Sequence, residues 1–424
     1  MTHLLLILTA LVLLGCSTSA SETPEAEARG AEAKPVKTGA QVLVESEFEA
    51  LAGKRVGLVV NHTARVGEAH LIDLVDDAPN VELAALFGPE HGLRGTEEDG
   101  VEVADGRDDR TGVPVYSLYG RTRKPTPEMV EGLDVLVFDI QDVGARFYTF
   151  ISTMGLAMQA AAEAGLPFVV LDRPNPLGGD YVAGFVLEPA HASFVGQYPI
   201  PIAHGLTVGE LARMIQGEGL LPGLETLQLD VIAMDGWQRG MLWPETGLPW
   251  VNTSPNIPGF ETALVYPGAC FFEATAASEG RGTETPFTLL GAPWADGQAL
   301  ADTLNARGLP GVRFEAAAFT PRPIEGMDTN PKLDGQALEG IRYAVIDAAA
   351  FRPVEAGIHV FHAFYHQAPD VDGFLTRQPW LTKLSGTTRL GMMLAQGAGP
   401  DAVIAAWHDE VTAFRERSRT YWLY

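Results

Sequence analysis

From residue 42 onward, short apolar runs alternate with helical stretches. Residues 54–60 (KRVGLVV), 81–87 (VELAALF), 113–118 (VPVYSL), 134–140 (DVLVFDI) and 167–171 (PFVVL) are runs of strand length bounded by turn residues. Near-continuous apolar character at that length marks strands buried on both faces. Between and after them, residues 69–75 and 149–164 read as helices, the second closed by Gly165 at its C′ position. A further helix starts near Thr207, which has capping-box spacing to Glu210. Strands alternating with helices predict βαβ units, hence an α/β fold with a parallel sheet covered on both faces. After residue 265 the pattern changes. Strand signals at 312–314 and 343–346 mix with proline-rich turns, and an amphipathic stretch over 401–415 closes the chain. This predicts a second, smaller α+β domain over 266–424, after a first domain over 41–265.

The start of the chain has a different character. Residues 4–14 form an apolar run of 11 residues, too short to span a bilayer of about 30 Å. That is the length of a signal-peptide core. Residues 17–40 are rich in Ser, Thr, Ala, Glu, Pro and Lys, with almost no large apolar residues, and read as a tether.

Composition narrows the function. The 424 residues are 46% hydrophobic and 20% charged, the balance of a folded globular protein. Lys and Arg number 29 against 54 Asp and Glu, a net charge of −25. Such a surface repels phosphate backbones and argues against nucleic-acid partners. Two cysteines, Cys16 and Cys270, exclude a disulfide scaffold and any CxxC site. Cys270 is expected to pack in the core. No GxGxxG, Walker A loop, HExxH or GxSxG elbow occurs, so no cofactor is expected.

Ligands of open parallel sheets bind outside the carboxyl ends of the strands. Here those ends carry Asn61-His62, Glu90-His91, Asp139 with Gln141-Asp142, and Asp172-Arg173 with Asn175. Such residues also cap helices and form turns. Glutamate and histidine are poor caps, however, and Glu90-His91 sits tightly between glycines. Two later segments have the same character. Residues 249–258 (PWVNTSPNIP) place Trp250 beside Asn252 and Asn256, an aromatic with amides that suits a sugar ring. Residues 278–287 (SEGRGTETPF) put Arg281 and Glu284 among glycines that allow close backbone approach. Carboxylates without a cofactor motif point to hydrolysis by acid/base work. A glycosidase needs one protonated carboxylic acid and a second carboxylate, for which Glu90 and Glu284 are the candidates.

Four segments carry a family resemblance. They are Gly88-Pro89-Glu90-His91-Gly92, residues 138–148 (FDIQDVGARFY), Leu171-Asp172-Arg173-Pro174-Asn175-Pro176 and Gly280-Arg281-Gly282-Thr283-Glu284. In order and spacing they resemble the exo-β-N-acetylmuramidases of bacterial cell-wall recycling, from about residue 40 to the C-terminus. The resemblance implies a Rossmann-like domain carrying much of the site, with the second domain closing a cleft. It implies release of N-acetylmuramic acid from the non-reducing end of peptidoglycan fragments, without metal or nucleotide. Glu90 becomes the leading candidate acid and Glu284 the second carboxylate. The lactyl carboxylate of muramic acid needs a local cation, and Arg146, Arg173 and Arg281 are the candidates. His91 and His204 would hold hydroxyls or tune a carboxylate. Asp139, Gln141, Asp142, Tyr148, Asn175, Asn252 and Asn256 complete the expected substrate-binding set.

Leu13-Leu14-Gly15-Cys16 likewise resembles a bacterial lipobox, which implies a signal peptide over residues 1–15, lipidated Cys16 and a tether over 16–40. The expected location is extracytoplasmic, anchored by lipid to a membrane, with Ser17 compatible with the periplasmic face of an outer membrane. Two other functions stay open at this stage. One is a non-catalytic lipoprotein that binds muropeptides or sugars. The other is a metal-dependent hydrolase built on His62, His91, Asp139 and His204, whose scattered spacing argues against it.

Overall fold

Six parallel strands form the centre of the molecule. The computed structural model describes residues 35–90, 92–93 and 106–424. The strands are β1 (Arg55–Val60), a small hairpin β2 (Arg65–Val66) and β3 (Ala69–His70), β4 (Glu82–Gly88), β5 (Gly106–Arg107), β6 (Pro114–Ser117), β7 (Val135–Asp139), β8 (Phe168–Leu171) and β9 (Leu229–Ile232). The main sheet runs β5-β6-β4-β1-β7-β8-β9, all parallel except the short edge strand β5. Leaving out β5, the six parallel strands lie in chain order 3-2-1-4-5-6, the doubly wound order of Rossmann folds. The order reverses between β1 and β7.

Helices flank the sheet: α1 (Gly39–Glu45), α2 (Leu71–Asp76), α3 (Phe150–Ala164) and α4 (Val208–Gly217). Thr207 and Glu210 form the expected capping box on α4, and Gly165 closes α3 in the left-handed region at φ 68°. The helix expected over 69–75 starts only at Leu71, because residues 69–70 pair with β2.

The second sheet is antiparallel, β10 (Leu289–Ala292), β12 (Leu338–Val345) and β11 (Val312–Phe319), in the order β10-β12-β11. Both long strands extend well beyond the segments expected from sequence, because Arg313 and Glu315 on β11 and Glu339 and Arg342 on β12 interrupt the apolar runs. Around this sheet lie α5 (Phe260–Ala269), α6 (Gly297–Asn305), α7 (Pro353–Gln367), α8 (Val371–Phe374), α9 (Gln378–Ser385), α10 (Arg389–Ala395), α11 (Pro400–Ala405) and α12 (His408–Ser418). The amphipathic stretch expected as one helix over 401–415 is two helices. Between them Trp407 is buried edge-on against Phe185, at a centroid distance of 5.1 Å.

One hydrophobic core runs through both sheets, from Phe138 on β7 to Ile341 on β12. The boundary expected at 265/266 falls inside α5. That helix packs on α7 with Gly268 against Gly357, where a Cβ on either would collide with the other helix's backbone. The last residues return to the first sheet: Leu423 N–H donates to Glu210 Oε1 at 2.9 Å, and Tyr424 Oη donates to Asp172 Oδ2 at 2.7 Å.

Candidate active site

The carboxyl end of β4 and the start of α3 meet at a cavity of about 550 Å³. Glu90 follows β4 by two residues and lines it. The Thr149 hydroxyl, just before α3, donates to Glu90 Oε2 at 2.9 Å and fixes the carboxyl. The floor is aromatic. Tyr266 meets Phe147, Tyr148 and Phe287 edge-on at centroid distances of 5.3, 5.8 and 4.9 Å. Cys270 lies in the same floor, buried, and desolvation pushes its thiol well above the usual range, so it is not poised as a nucleophile.

The opposite wall comes from the second half of the chain. Glu273, in a 3-10 turn after α5, accepts from the Arg281 guanidinium at Oε1 and from the Trp380 indole at Oε2, both at 3.1 Å. Behind it, Glu279 is buried against Lys332 at 2.6 Å and holds Arg281 Nε at 3.5 Å. Gly280 and Gly282 both adopt positive φ, 79° and 77°. These two left-handed turns send Arg281 inward and leave Glu284 on the surface. Arg377 and Lys383 flank Trp380 on and beside α9, and Arg123 stacks over Phe194 at 4.4 Å across the mouth.

Four of the residues proposed from sequence therefore line this cavity: Glu90, Tyr148, Asn256 and Arg281. Tyr148 donates to the Thr253 hydroxyl at 2.9 Å, and Asn256 donates to Met327 O at 3.1 Å. His91 and Cys16 lie outside the described residues.

The remaining residues are elsewhere, for identifiable reasons. Glu284 and Asn252 are exposed and do not line the cavity. Arg146 is fully buried and donates to three backbone carbonyls, Phe185, Ile200 and Leu384, at 2.7–2.8 Å. Desolvation pulls its pKa down to about 9, still charged at neutral pH. It cannot meet a ligand; it ties the C-terminal end of α9 to the loops beside the first sheet. Arg173 pairs with Asp139 through two contacts of 2.5 and 2.8 Å, with Asp139 wholly buried. Asn175 bridges Leu206 O and Leu177 N, and a Cβ on Gly144 would overlap its amide. Asp142 accepts from Gly144 N at 2.6 Å and lies 3.5 Å from His204 Nε2, whose other nitrogen accepts from Leu206 N. Gln141 donates to Asp142 O and Pro174 O, both at 2.8 Å. Beside this network a second cavity of about 50 Å³ includes Gln141 and Arg173 in its wall. Among the described residues no group of three or more His, Cys, Asp or Glu side chains could hold a metal ion.

Glu273, Trp380, Arg377 and Lys383 were not singled out from sequence. Glu273 carried a signal: it is the one charge in the apolar run 262–277, where a purely structural helix would have none.

Residues 56–261 match the family domain described as exo-beta-N-acetylmuramidase NamZ, N-terminal, and residues 264–424 match the corresponding C-terminal domain. The peptidoglycan beta-N-acetylmuramidase NamZ of Bacillus subtilis (strain 168) is 42% identical over 418 residues, 98% of each chain. Two crystal structures of DUF1343 family proteins from Bacteroides fragilis NCTC 9343 are similar in fold. One has a TM-score of 0.85 at 40% identity and the other 0.76 at 34%, each covering 92% of this chain and 99% of its own. With both halves matched and the full-length relative aligned end to end, the chain belongs to the NamZ exo-β-N-acetylmuramidase family.

Proposed function

We propose that the chain is an exo-acting glycoside hydrolase that releases N-acetylmuramic acid from the non-reducing end of peptidoglycan fragments, with Glu90 as the acid and Glu273 as the second carboxylate. One observation carries the assignment of roles. Glu273 accepts hydrogen bonds at both oxygens from a guanidinium and an indole, the setting of a fixed carboxylate. The proton given to the leaving glycosidic oxygen then comes from Glu90, across the same cavity. Glu273 stands at the developing oxocarbenium ion or activates the incoming water. Water adds its hydroxyl to the anomeric carbon; its proton returns to Glu90 where Glu273 only stabilises the cation, and goes to Glu273 where Glu273 is the base, after which exchange with solvent restores both groups.

The charge around the cavity supports an anionic substrate. Arg123, Arg281, Arg377 and Lys383 line it together with two carboxylates, in a chain of net charge −25. That local excess of cations suits a lactyl carboxylate. The aromatic floor suits the apolar face of a pyranose, and about 550 Å³ lies within the range of small-ligand sites. Arg281 lines this cavity and remains a candidate partner for the lactyl group, whereas Arg146 and Arg173 do not line it. We also infer that the chain is anchored outside the cytoplasm through lipidated Cys16, on the strength of the apolar run and the Leu-Leu-Gly-Cys segment alone. The mass of the mature N-terminal peptide tests this directly.

The decisive experiment offers a disaccharide with terminal muramic acid to wild type and to Glu90→Gln. Wild type should release free N-acetylmuramic acid, and Glu90→Gln should lose roughly 10²–10⁴-fold in rate while still binding the sugar by calorimetry. Binding without any turnover by wild type would point to a sugar-binding lipoprotein. Undiminished turnover by Glu90→Gln would remove Glu90 as the acid.

A further inference from the structure

A third cavity, of about 310 Å³, lies between α6, α7 and the start of α11, among elements that contribute nothing to the cavity at Glu90. Three histidines of α7, His359, His362 and His366, line it. Their spacing of three, four and seven residues places them on one helical face. His362 and His366 bring their Nε2 atoms to 3.1 Å, with ring centroids 4.2 Å apart. Helical histidines four residues apart are the spacing through which imidazoles chelate a metal ion. The separation of 3.1 Å is a hydrogen bond between the two rings, and with metal–nitrogen bonds of about 2.0–2.1 Å one ion in place of the shared proton can bridge both nitrogens.

We propose that His362 and His366 form a surface chelate for a divalent late transition-metal ion, with copper(II) bound most tightly. Copper stands highest in the affinity order for nitrogen sites. The two imidazoles supply two positions and water the others, in keeping with the lack of any third converging ligand among the described residues. Arg307 lies in the same wall 3.9 Å from Asp401, which is also 3.6 Å from His359 Nε2, so a carboxylate balances the guanidinium beside the pair.

The test titrates copper(II), and separately nickel(II) and zinc(II), into the chain from residue 17 onward carrying no polyhistidine tag, because an amino-terminal Met1-Thr2-His3 is itself a copper(II) and nickel(II) chelate. Calorimetry reads stoichiometry, and electron paramagnetic resonance of the copper form counts coordinated nitrogens. Wild type should bind one equivalent with two imidazole nitrogens, copper tightest. His366→Ala alters an exposed residue and should fold normally by circular dichroism, yet weaken copper binding about tenfold or more through loss of one of two ligands. His362→Asn should do the same, and neither should change muramidase turnover. No copper binding by wild type overturns the proposal, as does binding that both variants leave intact. Because the readout is metal binding, the outcome is independent of the function assigned to Glu90.

Discussion

The crevice between β1 and β7 and the cavity at the end of β4 sit on the same rim of one sheet and are built from similar residues. In the crevice every carboxylate has a partner of its own: Asp139 holds Arg173, Asp142 holds Gly144 N, and Asp172 holds Gly209 N and two hydroxyls. The adjoining space is only about 50 Å³. At the end of β4, Glu90 and Glu273 have partners too, Thr149 for the first and Arg281 and Trp380 for the second, but they line about 550 Å³ together with four cationic side chains. The reversal of strand order that opens a nucleotide crevice in other doubly wound folds is here filled by its own side chains. The proposed site lies one strand outward, where the turn at Glu273, the loop at Arg281 and helix α9 supply the facing wall. Polar residues at strand ends therefore mark a site only where they line open space.

The sharpest way to break this comparison is to exchange carboxylates across it. Glu273→Gln should lower release of N-acetylmuramic acid by roughly 10²–10⁴-fold, the range for a carboxylate acting directly on the reacting centre. Glu284→Gln, altering an exposed side chain with no place in the cavity wall, should stay within about twofold and within about 0.5 kcal/mol in stability. Comparable losses from both would return Glu284 to the site.

Asp139→Asn probes the closed region. It leaves the buried Arg173 guanidinium without its counter-charge, and breaking a buried pair from one side costs about 3–5 kcal/mol. The effect should appear as a lower midpoint in urea, with turnover per folded molecule close to wild type. A folded variant of normal stability that no longer turns over would place Asp139 in the chemistry instead.

How much of this was legible in the sequence follows from what each residue type must do. The strands and the cap of α4 were readable, because apolar runs and Thr207-x-x-Glu210 act locally. Glu90 was readable because a glutamate between glycines at a strand end serves no local purpose. Arg146 was misread as a ligand for the lactyl group because its three acceptors lie at residues 185, 200 and 384. Nothing within ten residues announces them. Distance hid half of the Glu273 setting, since Trp380 lies 107 residues on, while Arg281, eight residues away, is turned inward only by the left-handed backbone at Gly280 and Gly282. Glu284 looked suitable in the string, but the left-handed turns at Gly280 and Gly282 decide which side chain faces inward, and φ is not written in the composition.

A smaller effect than loss of the Arg173 pair is a pH dependence confined to the closed region. Asp172 is wholly buried at the end of β8, and desolvation raises its pKa to about 6, partly opposed by the donors Gly209 N, Tyr424 Oη and Thr207 Oγ1. The unfolded chain titrates this carboxyl near 3.8. Between those values the folded state holds a proton that the unfolded state has released, so stability falls as pH rises from about 4 to about 6 and is level above. A shift of about two pKa units corresponds to roughly 3 kcal/mol, as an upper figure. Asp172→Asn carries no charge to bury. Measured as the difference in unfolding free energy, this variant should gain on wild type by up to about 3 kcal/mol between pH 4 and pH 7, even if the amide replaces the hydroxyl contacts imperfectly at every pH. A difference that stays constant over that range would mean Asp172 ionises as readily in the fold as outside it. The crevice at β8 would then have solvent access enough to keep a carboxylate hydrated, and its contrast with the cavity at Glu90 would be one of size alone.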